Sequence, residues 1–268
     1  FESMFNVNVS YKLSLLPTAT PYSRNAIFCG LFPDEMVKKY PEQARLMVEH
    51  ASSLNSLEPQ FLEDQLKRLG LGDKSMHYHK IWAVEEGKKF QNRIPDYLQR
   101  DMLALVVNFV DMLTHRSSQT DVLKEIVQDE TGYRAAVKSW LEHSWLLQVL
   151  KKLSESDFTV IITSDHGSIR VQKDVMVAAD REASTGVRYK YGRNLNTKDR
   201  NALIIHDPAQ YRLPAFGPQP TYLIARDDVF FVYPNQVHKF LSKFKNSFQH
   251  GGISMEEMMV PVAVMKAR

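Results

Sequence analysis

The sequence predicts an α/β protein whose mostly parallel central sheet carries its chemistry at strand ends. Three observations point there. Phe158-Thr159-Val160-Ile161-Ile162 and Leu103-Ala104-Leu105-Val106-Val107-Asn108-Phe109-Val110 are near-continuous apolar runs, the pattern of strands buried on both faces. Each run is followed at once by polar residues, Thr163-Ser164-Asp165-His166-Gly167 and Asp111-Met112-Leu113-Thr114-His115. In open α/β sheets ligands collect beyond the carboxyl ends of strands. Amphipathic stretches of helical period lie between the apolar runs, and 268 residues suit one large domain over 1–268 better than two average ones.

Composition excludes several classes. With 44% hydrophobic and 24% charged residues the chain is an ordinary globular one. A net charge of +3 permits anionic substrates, and no Lys/Arg block marks a nucleic-acid footprint. The single Cys29 excludes an internal disulfide and fits a reducing cytosol, so a cytoplasmic location is expected. No stretch approaches the roughly 20 apolar residues of a membrane span, and no signal peptide is visible, so membrane insertion is not expected. Because the chain opens on Phe1 rather than Met, it reads as a fragment with an upstream part missing.

Taken in order, Tyr11 to Leu16 reads as a strand ended by Pro17. Thr18-Ala19-Thr20-Pro21-Tyr22-Ser23-Arg24-Asn25 then opens a helical run closed by Gly30, a strand-to-helix turn. Such a turn aims a Thr hydroxyl and backbone N–H groups at one point, which suits a nucleophile facing an anion. The alternative makes Thr20 a plain helix cap. Pro41 to Gly72 is helical and amphipathic, through Phe61, Leu62, Leu66 and Leu69. His77 and His79 share one face of a strand, as a metal pair or as exposed or core histidines. Lys88 to Arg100 reads as a polar connection. Tyr133 to Leu153 reads as one long helix with Trp140 and Trp145 on its core face.

Further on, Ser168 to Arg200 is rich in charge and turn formers. Arg188, Lys190 and Arg193 interleave there with Tyr189 and Tyr191, either as a mobile lid that meets an anionic substrate or as a solvated loop. Ala202–Ile205, Thr221–Ala225 and Val229–Tyr233 follow as strands, the last two forming a hairpin through Arg226-Asp227-Asp228. Gln236 to Lys245 is helical, His250 precedes two glycines in a loop, and Val260 to Met265 is a closing strand.

The candidates are thus Thr20, two Asp and three His. Adjacent Asp165 and His166 supply an oxygen and a nitrogen ligand, although the triplet also reads as a strand-ending turn with Asp as a helix cap. Asp111 and His115, four residues apart, converge if the chain turns helically after its strand. Asp and His donors favour zinc or a related ion over magnesium or calcium, and two ions can clamp a phosphoryl group.

With these residues in hand a resemblance is visible. Pro17-Thr18-Ala19-Thr20-Pro21 with Gly30-Leu31-Phe32-Pro33, Asp111-Met112-Leu113-Thr114-His115, Ser164-Asp165-His166-Gly167 and His250-Gly251 resemble the ordered motifs of the alkaline phosphatase superfamily. The wording of Leu16 to Phe28 and of Arg188-Tyr189-Lys190-Tyr191-Gly192 is similar to PglZ domains, in particular to the output domains of PorX-type response regulators linked to type IX secretion. The resemblance implies a three-layer sandwich with a mostly parallel central sheet. It also implies two zinc ions and phosphodiesterase or phosphatase chemistry on nucleotide-type esters, with a nucleotide or oligonucleotide as substrate.

By the same resemblance Thr20 matches the nucleophile, because its distance to the Gly-Leu-x-Pro segment fits better than that of Thr18. Asp111, His115 and His250 match the ligands of one zinc, and Asp165 and His166, with Thr20, those of the other. Asn25, Arg188 and Lys190 are the candidates for substrate contact. Cys29 does not match the sulfatase position. The superfamily opens with a strand ending in a further Asp ligand, and no such strand precedes Phe1, nor does a receiver domain. Two readings follow: a zinc phosphohydrolase serving as output domain behind a receiver domain, or a catalytically weak signalling module acting through a homodimer or a partner.

Overall fold

The computed structural model describes residues 1–43, 56–116, 121–178, 186–217 and 219–268. In chain order, β1 (Phe5–Leu13) leads to α1 (Thr20–Cys29), α2 (Pro33–Lys39) and α3 (Glu58–Arg68). Next come β2 (Met76–Ile81), α4 (Val84–Asn92), α5 (Ile94–Tyr97), β3 (Met102–Val107) and α6 (Phe109–Arg116). Helices α7 (Asp121–Ile126), α8 (Glu130–His143) and α9 (Trp145–Leu153) precede β4 (Thr159–Thr163), β5 (Ile169–Arg170) and β6 (Lys173–Met176). The remainder is β7 (Tyr189–Gly192), β8 (Ala202–Ile205), β9 (Thr221–Ala225), β10 (Val229–Val232), α10 (Val237–Phe244), β11 (Phe248–Gln249), α11 (Met255–Met258) and β12 (Met259–Ala267). No helix among the described residues is long and apolar enough to cross a membrane.

The chain divides into two units, the first made of 1–12, 66–164 and 261–268, the second of 13–65 and 165–260. In the first, β2 and β3 run parallel with His77 opposite Leu103, and β1, β12 and β4 form a three-stranded sheet in that order. Its core gathers Phe5, Ile81, Phe90, Ile94, Tyr97, Trp145, Val149, Leu150, Leu153 and Met265. Phe90, Ile94 and Tyr97 are spaced i, i+4 and i+7, a helical face inside the stretch read as a polar connection. The helix expected from Tyr133 to Leu153 is two. At Ser144 the backbone turns extended (φ −90°, ψ 166°), after which Trp145 enters the core while Trp140 stacks on Phe109 at 4.1 Å.

The expectation of a buried parallel strand at 158–162 is overturned. β4 pairs only with β12 among the described residues, antiparallel, with Ile162 opposite Ala263 and Val160 opposite Met265. It lies at the margin of its sheet, and Ile161, on the face away from Met265, is 62% exposed. β1 also begins and ends earlier than the sequence suggested, because its ladder starts at Phe5 and stops at Leu13.

In the second unit, β9 lies between β7 and β8, antiparallel to both, and β10 pairs parallel with β6. The hairpin expected of β9 and β10 therefore does not form. Both strands are buried throughout, and period two explains how. Leu223, Ala225, Val229 and Phe231 share one cluster, while Tyr222 and Ile224 face a second and Phe230 and Val232 a third. Strands covered on both faces satisfy this pattern when they belong to different sheets packed together, and the link over 226–228, with Asp227 at φ 40°, carries the chain between them. Among the described residues the sheets are thus small and mixed, and they do not bear out a mostly parallel central sheet.

Candidate active site

Helix α1 starts without a side-chain cap. Ala19 holds the cap position, Thr20 is the first helical residue and Pro21 the second, where its missing N–H costs nothing. The helix closes at Gly30, whose backbone is left-handed (φ 63°). Thr20 is therefore not a cap. Its hydroxyl lies 3.1 Å from Nε2 of His166.

The tautomer of His166 follows from its other nitrogen. Nδ1 lies 2.9 Å from the Gly167 carbonyl, which can only accept, so Nδ1 carries a proton, and in that tautomer of the uncharged ring Nε2 offers a lone pair. The Thr20 hydroxyl is then the donor. His250 is held in the same way, its Nδ1 donating to the Thr18 carbonyl at 3.0 Å. The two imidazoles stack with centroids 4.1 Å apart and planes inclined by 18°. Asp165 completes the group. Its Oδ2 is buried, accepts no hydrogen bond among the described residues, and lies 3.7 Å from His166 Nε2.

Thr18 and Thr20 have different jobs. Thr18 is wholly buried, and its hydroxyl donates to the Gly252 carbonyl at 2.8 Å while accepting from the Gly251 N–H at 3.0 Å. It is a clamp between the turn before α1 and the loop that carries His250. Two glycines are required by this packing. A Cβ on Gly167 would sit 2.0 Å from the Glu256 carbonyl oxygen, and Gly251 has φ 115°, a conformation side-chain-bearing residues rarely adopt.

The structure thus brings Thr20, Asp165, His166 and His250 together. Asp111 belongs to the first unit, where it stands half-buried in the first turn of α6, so the expected helical turn after β3 is present. His115 is on the same helix, and its side chain lies outside the described residues, as do residues 179–185 of the expected lid. Among the described residues no group of three or more His, Cys, Asp or Glu is placed to hold a metal ion. With the Thr20 hydroxyl included, however, Asp165 and His166 make a set of two oxygens and one nitrogen. The lone buried carboxylate oxygen and the imidazole fixed through a carbonyl both fit a divalent ion.

His77 and His79 are half-buried on β2. Their rings stack at 5.9 Å, His77 lies on Tyr97 at 4.2 Å, and burial lowers both imidazoles below the usual value.

The lid expectation for Arg188 and Lys190 is corrected. Arg188 is wholly buried, donating to both carboxylate oxygens of Glu257 at 2.7 and 2.6 Å and to the Val229 carbonyl. Lys190 is 1% exposed, with its ammonium 4.8 Å from the Tyr233 ring centre, and burial pushes it down to about 8. Both are buried, Lys190 on β7 and Arg188 as the residue just before it. Asn25 is buried too, its amide donating to the Pro21 carbonyl one turn back. Sequence reasoning missed Glu257. Ser254-Met255-Glu256-Glu257 is a capping box, confirmed by Ser254 Oγ accepting from the Glu257 N–H, and that pattern could have singled it out.

The family model for the BREX system PglZ alkaline phosphatase-like domain matches residues 2–265. The chain belongs to the PglZ family of alkaline phosphatase-like domains. No curated protein matches this PglZ domain. Among solved structures it is similar to murine ectonucleotide pyrophosphatase/phosphodiesterase 5, at 11% identity and a TM-score of 0.52, over 94% of this chain and 78% of that one. An inactive form of the same murine enzyme in complex with AMP gives a TM-score of 0.53 with the same identity and coverage. Phosphonoacetate hydrolase from Sinorhizobium meliloti, in complex with phosphonoformate, is similar over 68% of this chain and 50% of that one, at 11% identity and a TM-score of 0.40. At such identity the likeness to the murine enzyme is one of fold.

Proposed function

We propose that this PglZ domain is a phosphoester hydrolase in which Thr20 is the nucleophile. The observation that carries the reading is the contact between Thr20 Oγ1 and the lone pair of His166 Nε2, beside a buried Asp165 oxygen. A hydroxyl that donates to an imidazole held in one tautomer is polarised toward attack. Oγ1 would bond to phosphorus as the ester oxygen leaves, giving a phosphoryl-threonine that water then releases. The start of α1 adds backbone N–H groups and the positive end of its dipole, which favour an anionic ester next to Thr20.

Asp165, His166 through Nε2, and Thr20 would hold a zinc ion, which would supply Lewis-acid activation of the hydroxyl in place of the imidazole. Asp165 and His166 are suited to hold it for the reasons given above. The family resemblance calls for two ions, and these donors account for one. The AMP complex of the murine enzyme supports nucleotide-type phosphodiesters as the first substrates to try. Control by a receiver domain, as in the PorX-type response regulators the chain resembles, belongs to the same proposal.

The test is hydrolysis of mono- and bis-(4-nitrophenyl) phosphate with and without added zinc, by the wild type and by Thr20→Val, with bound zinc measured for both. The expected result is zinc-dependent hydrolysis that disappears in Thr20→Val while zinc stays bound. Full activity in Thr20→Val would falsify the assignment of the nucleophile.

A further inference from the structure

Glu257 joins the two histidine loops of the site. Its carboxylate accepts from the Gly252 N–H at 2.8 Å and the Ser254 N–H at 3.1 Å, besides the two bonds from Arg188. Its main-chain carbonyl accepts from the Gly167 N–H at 2.9 Å. Gly252 is two residues from His250, and Gly167 follows His166 directly. One residue therefore fixes the backbone beside both stacked imidazoles.

We propose that Glu257, oriented by Arg188, is the positioning residue that sets His250 against His166. A capping carboxylate needs no burial, because surface helices are capped equally well. Here Glu257 and Arg188 are both 0% exposed. A buried ion pair is weak evidence for stability, since apolar residues of similar volume often replace one without loss. What apolar residues cannot do is accept the Gly252 and Ser254 N–H groups. A carboxylate with two oxygens takes those two donors and the two from Arg188 at once, which fixes its plane and hence the loop. The Thr18 hydroxyl grips the same loop from its other side, on Gly251 and Gly252. The inference rests on the reading of this site as catalytic, and it adds the residue pair that holds the site in register.

Two double variants separate positioning from bulk stability. Arg188→Met/Glu257→Leu keeps the volume, buries no lone charge and removes the acceptors, whereas Arg188→Met/Glu257→Gln keeps one carbonyl oxygen for the loop. Both are compared with the wild type for kcat and KM on bis-(4-nitrophenyl) phosphate, and by NMR for the ring-proton shifts of His166 and His250, which stacking moves upfield. In the leucine variant kcat is expected to fall roughly 100-fold, the scale of a displacement of about 1 Å in a reacting group, with KM little changed. Its two histidine signals leave their stacked positions, and the glutamine variant recovers most of both losses. Equal kcat and unmoved ring signals in the two variants overturn the inference, as does failure of both to fold, since the pair would then be a stability element first. If the wild type hydrolyses no ester, the catalytic reading fails, and the ring signals alone decide whether Glu257 positions the histidines.

Discussion

His166 Nε2 stands 3.1 Å from Thr20 Oγ1, while its Nδ1 is engaged 2.9 Å away by the carbonyl of Gly167, the next residue in the chain. The imidazole is thus oriented by its own loop, and the loop by Glu257. Replacing His166 by Gln keeps a polar side chain but removes the Nε2 lone pair, which accepts from the Thr20 hydroxyl when no ion is bound and would ligate the zinc that activates the same hydroxyl. In either role the expected outcome is a fall in kcat of roughly 10²–10⁴-fold, with unfolding in urea nearly unchanged. Stopped-time hydrolysis of the bis-ester alongside urea curves checks it. A loss under tenfold would remove His166 from the chemistry.

Gly167 predicts a stability effect of a different origin. A Cβ there would lie 2.0 Å from the Glu256 carbonyl oxygen, so the backbone of one loop must move. Gly167→Ala is expected to cost about 1–3 kcal/mol, the range for overpacking, read as a lower urea midpoint at unchanged m. Because the Gly167 N–H bond to Glu257 is strained by the same shift, kcat should fall as well.

Lys190 gives a pH dependence with a definite sign. Its ammonium titrates at about 8 in the fold, against the ordinary 10.5 of an unfolded chain. Between those values the unfolded chain binds more protons, so stability rises with pH from about 8 toward 10.5. Tyr189, pushed up by burial to about 12, acts oppositely: above about 10 the unfolded phenol gives up its proton first and the fold loses stability. Urea midpoints should therefore climb from pH 8 to about pH 10 and then fall. Lys190→Met removes the climb and stabilises the protein at pH 7, by at most about 3 kcal/mol. An unaltered slope would mean that the ammonium reaches water.

The sequence carried the site further than it carried the sheets. Thr20, Asp165, His166 and His250 are legible because an adjacent Asp-His pair, a Thr before Pro and a His before two glycines are short, local patterns. Strand pairing is not local. Thr159 to Thr163 has the composition of a buried strand, yet its neighbour is β12, about a hundred residues on, and no pattern within the run encodes that partner. Thr221–Ala225 and Val229–Val232 are strands as expected, but a three-residue link serves a hairpin and a change of sheet equally well. Arg188 and Lys190 misled for a related reason. Charged residues between tyrosines suggest a solvated segment until Glu257, far along the chain, is known to neutralise one of them.

His77 and His79 supply the last prediction. His77 Nε2 is buried and has no hydrogen-bond partner among the described residues, its ring lies on Tyr97, and His79 packs against Phe90. Burial lowers both imidazoles in the fold, and the mutual repulsion of the two rings when charged lowers His77 further. Below the ordinary value of 6.5 the unfolded chain takes up protons that the folded histidines refuse, so stability falls as pH drops through about 6.5 and continues to fall until the folded rings also titrate. His77→Phe keeps the stack on Tyr97 and has nothing to protonate. It should leave the urea midpoint at pH 8 nearly unchanged and raise it at pH 5, flattening the acid limb of the curve. If wild type and His77→Phe lose stability in parallel from pH 8 to pH 5, the acid limb belongs to other groups, and the stack is an ordinary piece of core.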